Sequence, residues 1–175
     1  MFATVNVVKL HTSIGKRSGG CLRQRSTLLR SAPVTCASDA KKVVVVGGTG
    51  RVGASTASAL AAMDGGLAVD LFLAGRSRER ADRAKSQWTG LEQAVFLECD
   101  ITSPASLANA LDGADLVIHC AGPFQKRATC EVLEAAILAK VPYIDVCDDM
   151  AFAKKAKKLH ERAKAAGGPA ITTTG

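Results

Sequence analysis

"VVVVGGTGRVG", residues 43–53, passes within one step from four consecutive valines to glycine, glycine, threonine and glycine. Valine is stiff at χ1 and favours extended backbone, so a short apolar run bounded by glycines reads as a strand buried on both faces. The strand ends where the glycines begin. After Gly53 comes "ASTASALAAM", residues 54–63, alanine-rich and free of proline, which reads as a helix packed closely on its neighbours.

Gly48, Gly50 and Gly53 fall at this strand-to-helix turn in a G-x-G-x-x-G pattern. The first glycine permits the tight turn, the second lets backbone approach a pyrophosphate, and the third lets helix and strand pack closely. The anion then meets the amides and the positive end of the helix. A glycine turn can also be purely structural. The strand before it and the helix after it are what favour dinucleotide binding here.

Downstream, short apolar runs alternate with helical patterns. Strands are expected at 42–47, 69–75, 94–99, 115–120, 143–147 and 170–174, and helices near 51–63, 77–88, 103–111, 127–139 and 149–166. Such alternation signals βαβ units and an α/β fold, a Rossmann-type doubly wound parallel sheet of about six strands. Ser103 with Pro104 reads as an N-cap followed by proline at the first helical position. Ligand is expected outside the carboxyl ends of the strands, at the switch point.

The second strand decides the nucleotide. An NAD site would place an acid at its end, whereas this chain has "AGRSRER" there, with Arg76 in the acid's place. A guanidinium suits a phosphate through its bidentate donors, which points to NADP(H). The alternative is that Arg76 and Arg78 merely begin a solvated helix with Glu79 and Arg80, a reading that suits Arg78 better than Arg76. Asp100 and Ile101, after the third strand, would lie near the adenine, although Asp100 could instead cap the next helix. His119, inside the fourth strand run, reads as a packed or hydrogen-bonded histidine, and His160 as a surface residue.

Charge narrows the partners. Of the formal +7, residues 1–37 supply six through Lys9, Lys16, Arg17, Arg23, Arg25 and Arg30, with no acid among them. The remainder is close to neutral and the chain holds one Trp and one Tyr, which disfavours nucleic acid. The first 37 residues have the composition of a transit peptide, and "VTCA" at 34–37 resembles the end of chloroplast leaders; a mitochondrial address is the alternative, and a retained basic tail the bland reading. No apolar run is long enough for a membrane span. The cysteines of the globular part, Cys99, Cys120, Cys130 and Cys147, form no Cys-x-x-Cys pair and read as buried thiols, so no metal is expected.

Taken in order, "VVVVGGTGRVG", "LAGRS", "CDI", "HCAGPF" and "YIDVCDD" resemble the N-terminal NADP-binding domain of the saccharopine dehydrogenase-like oxidoreductases, from about Lys41 to the chain end. The resemblance implies that Gly48, Thr49, Gly50, Arg51 and Val52 line the pyrophosphate. It implies that Arg76 and Ser77 hold the 2′-phosphate, and that Ala121, Gly122 and Pro123 pass near the nicotinamide. The chain departs from the family at Asp148 and Asp149, where Gly-Glu is usual, and it stops at Gly175, where family members continue into a substrate domain. No catalytic acid or base is assignable. Short-chain dehydrogenase chemistry is excluded, because the only tyrosine, Tyr143, is followed four positions later by Cys147 and not by lysine.

The leading expectation is thus an NADP(H)-dependent oxidoreductase represented by its cofactor domain, transferring hydride to or from a small-molecule substrate. The alternatives are a non-catalytic NADP(H)-sensing module and a truncated product. A homo-oligomer or a completing chain is left open as partner.

Overall fold

The computed structural model describes residues 40–63 and 68–173; the transit-peptide expectation for residues 1–37 lies outside them. Six strands, β1 (Lys41–Val46), β2 (Val69–Gly75), β3 (Val95–Glu98), β4 (Leu116–His119), β5 (Tyr143–Asp145) and β6 (Ala170–Ile171), form one sheet. Its order is β3-β2-β1-β4-β5-β6, and every neighbouring pair is parallel. The order reverses at β1, so the carboxyl ends of β1 and β4 flank the switch point.

The valines explain why β1 is central. Successive side chains of a strand point to opposite faces. Accordingly Val44 and Val46 join the core under one face, with Leu107, Val132 and Phe152, while Val43 and Val45 join the core under the other, with Ala54, Ala57 and Leu91. All four are almost fully buried. On the second face the small side chains of α1 (Arg51–Ala61) bring that helix close to the sheet, and α2 (Arg78–Gln87) follows it. On the first lie α3 (Pro104–Leu111), α4 (Glu131–Ala139) and α5 (Met150–Lys157).

Local chemistry sets the ends. Ser77 and Ser103 cap α2 and α3, accepting the amides of Arg80 and Ser106 at 3.3 Å each, with Pro104 opening α3. Gly90 and Gly113 take positive φ after helical segments, as left-handed terminators do.

Four elements depart most from expectation. The helix expected over 127–139 begins at Glu131, because a 3₁₀ turn (Phe124–Lys126) closes on the Arg127 amide and leaves Arg127 extended. The helix expected over 149–166 is two, α5 and α6 (His160–Ala166). At Lys158 and Leu159 the amides reach back three residues instead of four, and α6 buries no side chain that would hold it in line. The strand expected over 143–147 ends at Asp145, whose Oδ1 draws in the Cys147 amide at 3.1 Å. The last strand covers Ala170–Ile171 of the expected 170–174, and Thr174 lies outside the described residues.

Candidate functional site

The carboxyl ends of β1 to β4 open into a cleft of about 780 Å³. Its floor is the turn after β1. Gly47 takes φ +81°, and a Cβ there would stand 2.7 Å from the Ala121 amide nitrogen. The glycine of the turn is therefore Gly47, one residue ahead of the Gly48 expected. Gly48 serves a different need, since its Cβ would lie 2.8 Å from the Val45 carbonyl oxygen and 3.0 Å from Leu73. At Gly53 a Cβ would overlap the Gly47 carbonyl oxygen, so α1 lies directly on the turn, the close packing expected of the third glycine.

Thr49 and Gly50 line the cleft, whereas Gly48, Arg51, Val52 and Gly53 are not among its walls. Arg51 and Val52 occupy the first turn of α1, and the Val52 side chain is exposed. What the residues 51–53 bring to an anion is backbone: the first amides of a helix have no intrahelical partner, and the regular ladder resumes with Ala54 bonding Gly50.

At the end of β2 the cleft wall carries Arg76, Ser77 and Arg80. The Ser77 oxygen accepts the Arg80 amide, which leaves its hydroxyl proton free to donate. Arg78 stands outside the wall, its guanidinium 5.0 Å above the Phe96 ring. After β3, Asp100, Ile101 and Thr102 line the cleft. Asp100 caps no helix, because Ser103 does so; its Oδ1 accepts the amide and hydroxyl of Thr102 at 2.9 and 2.8 Å. Those bonds, and then the charges of Arg76 and Arg127, hold its carboxyl below the usual range.

The far wall is Cys120, Ala121, Gly122 and Pro123, with Arg127 beyond. Sequence reasoning missed Arg127 and Arg80, both hidden within helical patterns. Arg127 pairs with Glu131 at 3.7 Å, and its carbonyl accepts Lys155 Nζ at 2.7 Å. The thiols of Cys99 and Cys120 are pushed up by burial and remain protonated at neutral pH.

His119 closes β4 beneath this wall, buried as expected of a packed histidine. Its Nδ1 lies 3.0 Å from the Tyr143 hydroxyl, and burial depresses its pKa to about 4. His160 is exposed on α6. Among the described residues no group of three or more His, Cys, Asp or Glu is placed to hold a metal, and no helix is long and apolar enough to cross a membrane.

These walls fit a dinucleotide with a 2′-phosphate. The glycine floor admits backbone contact with a pyrophosphate, and the residues after β2 bring two guanidiniums and a hydroxyl to the wall, with Arg76 where an NAD site would have an acid.

Comparison with known proteins agrees. Residues 43–171, well over half of the chain, match the family described as saccharopine dehydrogenase NADP binding domain. No curated protein matches the sequence. Among solved structures, saccharopine dehydrogenase (L-Glu forming) from Saccharomyces cerevisiae shares the fold at TM-score 0.59 and 21% identity, over 75% of this chain and 26% of that one. Also similar are 2-keto-3-deoxy-D-gluconate dehydrogenase from Streptococcus agalactiae (TM-score 0.56, 16% identity, 78% of this chain, 68% of that one) and vestitone reductase from alfalfa (0.53, 19%, 76% and 56%). The chain thus spans about a quarter of the yeast enzyme's length.

Proposed function

The chain belongs to the saccharopine dehydrogenase NADP binding domain family, and on that premise we propose that it is the cofactor-holding part of an oxidoreductase that moves hydride to or from a small substrate. The single observation that carries the reading is the end of β2, where Arg76, Ser77 and Arg80 stand in one wall of the cleft and the acid of an NAD site is missing.

The nicotinamide, when bound, would supply or accept the hydride. The residues of this chain bind and orient. Gly47, Gly50 and the first amides of α1 receive the pyrophosphate, Arg76 and Ser77 the 2′-phosphate, and Asp100 with Ile101 flanks the adenine. The Ala121–Gly122–Pro123 backbone borders the nicotinamide. The thiols of Cys99 and Cys120 are poor acids and Asp100 is ionised, so none of these three cleft groups is suited to give a proton alongside hydride transfer. We infer also that residues 1–37 address the protein to the chloroplast, which a fluorescent fusion of that segment tests by its location.

Titration of the purified chain with NADPH and NADH, read by nicotinamide fluorescence, tests the cofactor reading. NADPH is expected to bind more tightly, and Arg76→Ala to weaken NADPH by about tenfold or more while leaving NADH little changed. Equal affinity for the two nucleotides in both proteins would remove the phosphate role of Arg76.

A further inference from the structure

The Tyr-x-Asp segment of β5 lines no part of the cleft, yet it carries the most deeply buried polar chemistry among the described residues. Asp145 is 0% and His119 3% exposed, and Tyr143 joins them. The Tyr143 hydroxyl donates to Asp145 Oδ2 at 2.9 Å and lies 3.0 Å from His119 Nδ1. Asp145 Oδ1 accepts the amides of Cys147 at 3.1 Å and Thr173 at 3.0 Å, and Thr173 returns its hydroxyl to the Asp145 carbonyl at 3.0 Å.

The donors can be assigned. The Tyr143 hydroxyl has one proton, and the bond to Asp145 Oδ2 commits it there. The hydroxyl oxygen must then accept from His119, and Nδ1 carries the imidazole proton. Nε2 is left as a bare lone pair, buried and without a hydrogen-bond partner among the described residues.

The cleft's far wall hangs on this ring. Cys120 to Pro123 leaves from the backbone of His119, and the chain comes back at Phe124, whose ring meets the imidazole edge to face at 4.9 Å. Phe152 of α5 stands 6.3 Å from the same ring. Rotation of the imidazole would disturb the Phe124 end of the wall, which packs on the ring, while the β4 end is held by the sheet.

We infer that Asp145, Tyr143 and His119 form a proton-locked strut, with His119 held as the neutral Nδ1–H tautomer, that positions the Ala121–Gly122–Pro123 backbone for the nicotinamide half of NADP(H). The positioning role rests on the cofactor reading above; the tautomer does not.

Nitrogen NMR of the imidazole in the full chain, together with titrations of NADPH and of adenosine 2′,5′-bisphosphate, which lacks the nicotinamide half, tests both parts. The wild-type spectrum should show Nδ1 protonated and Nε2 bare. Tyr143→Phe should mix the tautomers and weaken NADPH by about fivefold while leaving the bisphosphate unchanged. His119→Asn, which keeps a donor toward Tyr143, should hold NADPH better than His119→Leu. An Nε2–H tautomer in the wild type overturns the strut, as does Tyr143→Phe with unaltered NADPH affinity or with equal losses for both ligands. A wild-type chain that binds neither ligand removes the cofactor reading and the positioning role with it, whereas one that binds both, with Tyr143→Phe unchanged, removes the strut alone.

Discussion

The two sides of the cleft are built by opposite means. Under the β1 turn the design depends on side chains that are missing: Gly47, Gly48 and Gly53 each sit where a Cβ would meet backbone. Across from it, under the 120–123 wall, the design depends on side chains that are present and buried, in the line from Asp145 through Tyr143 to His119. The first side is fixed by sterics, which hardly change with solution conditions. The second is fixed by hydrogen bonds and by the neutrality of one histidine, so it responds to pH. Both meet at one point, where Gly47 faces the Ala121 amide.

Substitutions at the glycines should break the steric side with the largest effect. In Gly53→Ala the new methyl overlaps the Gly47 carbonyl and comes within 2.8 Å of the Gly48 Cα, both backbone, so neither can step aside cheaply. A loss of at least about 3 kcal/mol is expected in denaturant unfolding. Gly47→Ala combines a left-handed φ with a contact at 2.7 Å and should cost nearly as much.

Acid should act on the polar side. His119 is held neutral by burial, with a pKa of about 4 against 6.5 when exposed. Below 6.5 the unfolded chain takes up the proton first, so stability is complete above that pH and falls as the pH drops from 6.5 toward 4. The difference corresponds to about 3 kcal/mol, read as a stability curve that flattens in His119→Asn.

Asp145→Asn sharpens the same point at neutral pH. The amide turns an NH2 group toward donors that need an acceptor, and about 2 to 3 kcal/mol should be lost in chemical denaturation. Far from both sides, Lys41→Ala removes a half-exposed ion pair with Asp115 at 3.1 Å, and a change below about 0.5 kcal/mol is expected. A larger effect there would mean that stability is spread evenly and the contrast between the two sides is misplaced.

The steric side was almost wholly legible in the sequence, because valines and glycines act locally. Four valines announce a doubly buried strand, and the glycines that follow can only be a turn. The reading slipped by one residue, at Gly47, since a G-G pair does not say which member carries the positive φ. The polar side was legible in its parts but not in its assembly. His119 read as a packed histidine and Tyr-x-Asp as a family feature, but their union depends on the β4 and β5 register, which pairs His119 with Asp145. Arg127 escaped for a similar reason. It sits in a stretch of helical pattern, and only the 3₁₀ turn at Phe124 delays the helix enough to bring the guanidinium to the cleft.

The claim that one ligand is gripped from both sides is tested most directly by amide NMR of the labelled chain during NADPH addition. The amides of Gly47 to Gly50 and those of Ala121 and Gly122 should shift together, with a single dissociation constant, while those of α6 stay in place. Shifts confined to one side, or centred on α6, would contradict it.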